Sequence, residues 1–171
     1  MKRLLSILLI FTILLGGCAE SNPQAALMGE FSATELSGEV LDQSILKGKK
    51  LTMVNIWATY CAPCIREMPD LAELDREYEE SGFQILGIIA DVYSPEDATA
   101  ENARTILNNC NCDYLNLLPN QSLAALLNGV SAVPTTVFMD ESGNQVGEAY
   151  IGSRSKSDWA GIIDTLLKEI G

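Results

Sequence analysis

Residues 51–59 (LTMVNIWAT) and 83–90 (FQILGIIA) are almost unbroken apolar runs, the pattern of strands covered on both faces. Between them Met68, Leu71, Leu74 and Tyr78 recur at helical spacing, and Glu73, Arg76, Glu77 and Glu80 take the other positions. That spacing predicts a helix over residues 62–80, ended by Ser81-Gly82. Pro95 opens a second predicted helix that reaches Leu107, with Ala103, Ile106 and Leu107 as its inner stripe. Residues 114–118 read as a third strand, and residues 121–128 as a short helix stopped by Gly129. Residues 135–140 and 145–150 form an antiparallel hairpin around Glu141-Ser142-Gly143-Asn144. Trp159, Ile162, Ile163, Leu166, Leu167 and Ile170 make the apolar face of a last helix. Before all of these, residues 31–41 look like a short hairpin with Gly38 in its middle. Strands alternating with helices predict an α/β fold: a sheet with helices on both faces and an antiparallel edge. The 171 residues suffice for one domain, placed at residues 31–171.

The start of the chain has a different pattern. Lys2 and Arg3 precede an apolar run from Leu4 to Leu15, which ends in Gly16-Gly17-Cys18. The run is shorter than the roughly 20 residues that span a bilayer and has the layout of a secretory signal peptide, residues 1–17. Leu15-Gly16-Gly17-Cys18 resembles a bacterial lipobox, which implies that Cys18 is diacylated and begins the mature chain. The other reading is a short membrane anchor with an incidental Cys. Residues 18–30 then read as the lipidated Cys and a flexible tether. The expected location is extracytoplasmic, at the bacterial cell membrane, where disulfides are chemically permitted.

Charge and composition narrow the chemistry. Eleven Lys and Arg stand against 23 Asp and Glu, a net charge of −12, and no basic stripe interrupts the acidic excess. Nucleic acid is therefore excluded as a partner. There is no histidine, which removes Ser-His-Asp and Cys-His nucleophiles and His-ligated metals. The chemistry falls to five cysteines, at positions 18, 61, 64, 110 and 112.

Cys61-Ala62-Pro63-Cys64 stands where a buried strand turns into a helix. Helical residues three apart share a face at about 5–6 Å, which suits a disulfide that opens and closes with little backbone motion. Unpaired N–H groups and the positive end of the helix dipole stabilise a thiolate there. Cys61, at the very end, is then the nucleophile, and the more buried Cys64 the resolving thiol. A structural disulfide or half of a zinc site are the other readings of the pair. Pro69, inside the helix, deprives the Ile65 carbonyl of its partner and is expected to kink the helix.

Residues 54–69 (VNIWATYCAPCIREMP) and 129–136 (GVSAVPTT) resemble the thioredoxin superfamily, and within it the TlpA-like membrane-tethered thiol–disulfide oxidoreductases. The resemblance implies a thioredoxin-like fold: a central mixed sheet flanked by helices, with an N-terminal hairpin and an inserted helix and strand. It implies a cis Val133–Pro134 bond facing the cysteines, where Val133 pairs with an extended substrate segment and Tyr60, Ala62, Pro63 and Pro134 complete the contact; the other reading is an ordinary trans proline. Asn55 stands where thioredoxin has a buried Asp, and Ala62 where cytochrome-maturation members often have Glu. Those members carry a Glu three residues after the second cysteine, and here that residue is Glu67, on the helix face of Cys64. Glu67 is either the acceptor of the Cys64 proton, making Cys61, Cys64 and Glu67 the catalytic set, or a solvated carboxylate. The implied partners are disulfides of exported proteins and a membrane thiol transporter as electron donor. No metal or other cofactor is implied.

Cys110-Asn111-Cys112 lies outside the family pattern. Residues two apart on an extended chain point opposite ways, so a bond between these two needs a turn, which the Asn-rich context allows. A structural disulfide is the favoured reading, ahead of an independent redox or metal role. The topology places this pair at the far end of the sheet from Cys61, at least about 17 Å away. The alternative from another class is a metal-binding module using Cys61, Cys64, Cys110 and Cys112. The loop Pro-x-x-x-Thr-x-x-Cys of a peroxidase is not present.

Overall fold

The computed structural model describes residues 26–171; Cys18, the expected signal peptide and most of the expected tether lie outside them. A small antiparallel hairpin comes first, β1 (Ser32–Thr34) and β2 (Val40–Asp42). Then follow β3 (Leu51–Trp57), α1 (Ala62–Tyr78), β4 (Phe83–Ile89), α2 (Ala98–Asn109), β5 (Asn116–Leu117), α3 (Ala124–Leu127), β6 (Thr135–Met139), β7 (Gln145–Ile151) and α4 (Lys156–Ile170). The main sheet has the order β5-β4-β3-β6-β7, with β3, β4 and β5 parallel and β6 and β7 antiparallel to their neighbours. This is the mixed thioredoxin-like sheet that the resemblance implied.

Alternation along β3 divides the core. Leu51 and Met53 face α1 and α4, where Leu71, Leu74, Trp159 and Ile163 meet Phe83 and Phe138. Val54 and Ile56 face the other way, into a cluster with Leu86, Ile88, Met139, Phe31, Leu46 and Leu123. Each such fully buried side chain contributes about 1.5–3 kcal/mol. The β4–β5 junction depends on Gly87: the Asn116 carboxamide fills the space a side chain would need and accepts the Trp57 indole N–H at 2.9 Å. Helix α4 is held on α1 by Lys156, whose Nζ lies 2.7 Å from both Glu73 and Glu77, and by the Tyr78 hydroxyl, which donates to Asp164 at 2.9 Å.

Three expectations change. The tether does not run to residue 30: Met28 is 2% exposed, packs into the core, and its N–H donates to the Gly143 carbonyl at 3.0 Å. Helix α2 begins at Ala98, three residues after Pro95, because residues 94–97 close a turn in which the Asp97 N–H donates to the Ser94 carbonyl. The third strand shrinks to two residues, since only Asn116 and Leu117 pair with β4. Pro69 stands inside α1, as the sequence placed it, and the helix continues past it to Tyr78.

Candidate active site

The end of β3 places Cys61 at the N-cap of α1, with Pro63 in the first turn, where a missing N–H costs nothing. Cys61 and Cys64 are joined as a disulfide with Cα atoms 5.3 Å apart, as the helical spacing predicts. The Cys64 backbone N–H donates to Cys61 Sγ at 3.3 Å, so the sulfur itself caps the helix. Both cysteines are largely covered, Cys61 at 5% exposure and Cys64 at 1%, in the expected order. The turn before them is fixed by Asp91 after β4, which accepts from the Thr59 N–H at 3.0 Å and from the Thr59 hydroxyl at 2.6 Å.

The substrate-contact residues expected from the resemblance gather here. Tyr60 is 76% exposed, and Ala62 and Pro63 are exposed beside the sulfurs. The Val133–Pro134 bond is cis. Val133 is half-buried and packs against the cluster containing Cys61 and Cys64. β6 starts at the end of the sheet where β3 stops, since Thr135 pairs with Ile56, and this brings Pro134 to the same end. Exposed Tyr93 and Ile151 sit at that end as well.

Glu67 is a buried carboxyl, at 3% exposure, which removes the solvated reading. Its Oε2 accepts from the Arg154 backbone N–H at 3.1 Å and from the Trp159 indole N–H at 3.4 Å. Its Oε1 accepts from the Asn55 amide at 3.4 Å, and Asn55 also donates to the Thr136 hydroxyl at 3.0 Å. Burial raises its proton affinity above that of an ordinary Glu, and these donors and the Arg154 charge pull partly in the opposite direction. Trp159 and Arg154 reach the site from 92 and 87 residues further along the chain. In the sequence Trp159 is one of the apolar stripe of α4, and no local signal marks either residue.

Cys110 and Cys112 are both free thiols, not the expected structural disulfide. Nor do they lie at the far end of the sheet. Cys110 Sγ stands 3.8 Å from the Ile65 carbonyl, and Cys112 Sγ 3.6 Å from the Met68 carbonyl. The reason is register: β5 pairs Asn116 with Gly87, in the second half of β4, so residues 110–112 arrive against α1. The Ile65 carbonyl is the one that Pro69 leaves without a helical donor, and the Cys110 thiol faces it. Burial holds the Cys110 thiol protonated beyond its usual range and pushes Cys112 up to about 11. Iodoacetamide at pH 8 is therefore expected to modify reduced Cys61 at least tenfold faster than Cys110 or Cys112, read by peptide mass spectrometry; equal rates would refute it. Among the described residues, no group of three or more His, Cys, Asp or Glu is arranged to hold a metal ion, so the four cysteines do not assemble the thiolate set of the alternative reading.

A family model described as Redoxin matches residues 23–158. The chain is similar to thioredoxin-like protein YneN of Bacillus subtilis, 30% identical over 129 residues, which are 75% of this chain and 72% of that one. It is 31% identical over 150 residues to thiol-disulfide oxidoreductase ResA of Halalkalibacterium halodurans, covering 83% and 81% of the two chains. Among solved structures, a thiol:disulfide interchange protein of the thioredoxin family from Chlorobium tepidum superposes with a TM-score of 0.68 at 27% identity, over 81% of this chain and 94% of that one.

Proposed function

The chain belongs to the Redoxin family and is a thiol–disulfide oxidoreductase; from that premise we propose that it works outside the cytoplasm as a lipoprotein and reduces disulfides of exported proteins. The observation that carries the chemistry is the Cys61 sulfur capping α1, with Cys64 one turn in. In the reduced protein the helix N-terminus favours the Cys61 thiolate. Cys61 attacks the target disulfide, a Cys61–target bond forms, and one target sulfur leaves with the electron pair. Cys64 then attacks Cys61, its proton passes to Glu67, and the second target sulfur leaves. The target gains two electrons and two protons, and the chain ends with the Cys61–Cys64 disulfide. Val133 and Pro134, together with exposed Tyr60, Ala62 and Pro63, receive the extended target segment beside the sulfurs.

Location is supported by the run from Lys2 to Cys18, which has the order of charge, apolar stretch, small residues and Cys of a lipoprotein signal. Among the described residues no helix is long and apolar enough to cross a membrane. A lipidated Cys18 supplies the attachment, and a membrane thiol transporter supplies the electrons. A reductase in use stays mostly reduced. Acid-quenched cells whose free thiols are tagged before fractionation are expected to yield the protein in the membrane fraction with most of its Cys61 and Cys64 tagged. A largely oxidised pair would reverse the direction of transfer, and recovery in the cytosolic fraction would overturn the location.

A further inference from the structure

The two oxygens of Glu67 are treated differently. Oε2 receives two N–H donors from the α4 side of the molecule, the Arg154 backbone and the Trp159 indole. Oε1 receives one, from Asn55 on β3, which Asn55 shares with Thr136. Arg154 is held in turn: its guanidinium lies 4.8 Å from the Tyr150 ring centre and 5.1 Å from that of Trp159, and its Nη1 donates to the Gly152 carbonyl at 3.1 Å. The groups facing the carboxyl from other elements are thus Asn55 on β3, Trp159 on α4 and Arg154 before α4, and Arg154 also brings a positive charge that favours the ionised carboxylate. Cys64 shares its helix face one turn back.

We propose that Trp159 and Arg154 are positioning residues for the exchange reaction: they hold Glu67 Oε2 as the donated oxygen of an ionised carboxylate and leave Oε1 to take the Cys64 proton. This rests on the reading of Glu67 as proton acceptor. In the resolving step the Cys64 S–H proton moves to Oε1 and the Cys61–target S–S bond breaks. The Cys61–Cys64 bond forms, and the electron pair leaves on the target sulfur. Each N–H on Oε2 stabilises the carboxylate against the burial that favours its neutral form. Removing a donor or the cation therefore makes Glu67 hold its proton to higher pH, and the base form needed for resolution appears later in a rising pH series.

The test mixes the reduced full chain, in detergent micelles, with equimolar dithiobis(nitrobenzoate) and follows chromophore release against pH. The first release reports attack by Cys61, the second resolution by Cys64. Trp159→Phe, which keeps a ring under Arg154, and Arg154→Gln are each expected to slow the second release on the acid side of its profile by about three- to tenfold, with the high-pH plateau preserved. Arg154→Lys restores part of the loss. If Glu67→Gln leaves the wild-type profile unchanged, the reading of Glu67 fails. If Glu67→Gln flattens the profile while Trp159→Phe and Arg154→Gln leave its position unmoved, the positioning inference alone is overturned. Should Trp159→Phe lose its cooperative melting transition, Arg154→Gln decides.

Discussion

Cys61→Ser is expected to lower insulin-disulfide reduction by about a thousandfold or more, to the uncatalysed background, with the fold intact. The two halves of that result have separate causes. A serine hydroxyl is not ionised near neutral pH and does not attack disulfides, so the exchange has no first step. The same hydroxyl is a preferred helix N-cap, and Cys61 Sγ already accepts the Cys64 N–H at 3.3 Å. The introduced hydroxyl keeps that bond, and stability of the variant should lie within about 1 kcal/mol of the reduced wild type. The measurements are turbidity on insulin reduction and thermal melting by circular dichroism. Retained activity in a folded variant would move the nucleophile elsewhere in the chain.

Cys64→Ala separates attack from release. Cys61 stays at the helix end, so the first step proceeds, but no thiol one turn away completes the exchange. Multiple-turnover reduction is expected to fall by about a hundredfold or more, and the protein to accumulate as covalent adducts. These adducts survive non-reducing electrophoresis and dissociate with dithiothreitol. Cys64 is nearly fully buried, and the lost sulfur leaves a small void costing about 1 kcal/mol, too little to unfold a domain. In the native cell the trapped adducts identify the targets. Adducts formed by Cys61→Ala and not by Cys64→Ala would exchange the two roles.

The parts of this molecule legible in its sequence are those set by local chemistry. Residues 51–57 and 83–89 form strands because nearly every side chain in them is buried, and such a run of β-branched and aliphatic residues has few other uses. The cysteine pair is legible because the bond it makes depends only on helical spacing and on the end of a strand. Long-range register is not local, and the misplacement of Cys110 and Cys112 comes from it. A strand of five residues starting at Tyr114 would put them beyond the base of the sheet, but the pairing that forms involves only Asn116 and Leu117. Glu67 is identifiable by its distance from Cys64, whereas its environment is not. Whether the carboxyl meets water or indole depends on where α4 docks, and that is fixed by contacts such as Lys156 with Glu73 and Glu77, about 80 positions apart.

Met28 is pinned to Gly143, in the turn between β6 and β7. That turn follows Met139, which pairs with Thr52 at the start of β3, whereas Cys61 follows the finish of β3. The domain is thus gripped at one pole and reactive at the other, separated by the length of a strand. If Cys18 is fastened to lipid, as proposed, this polarity sets the sulfurs at the opposite end of the domain from the point where the chain enters it.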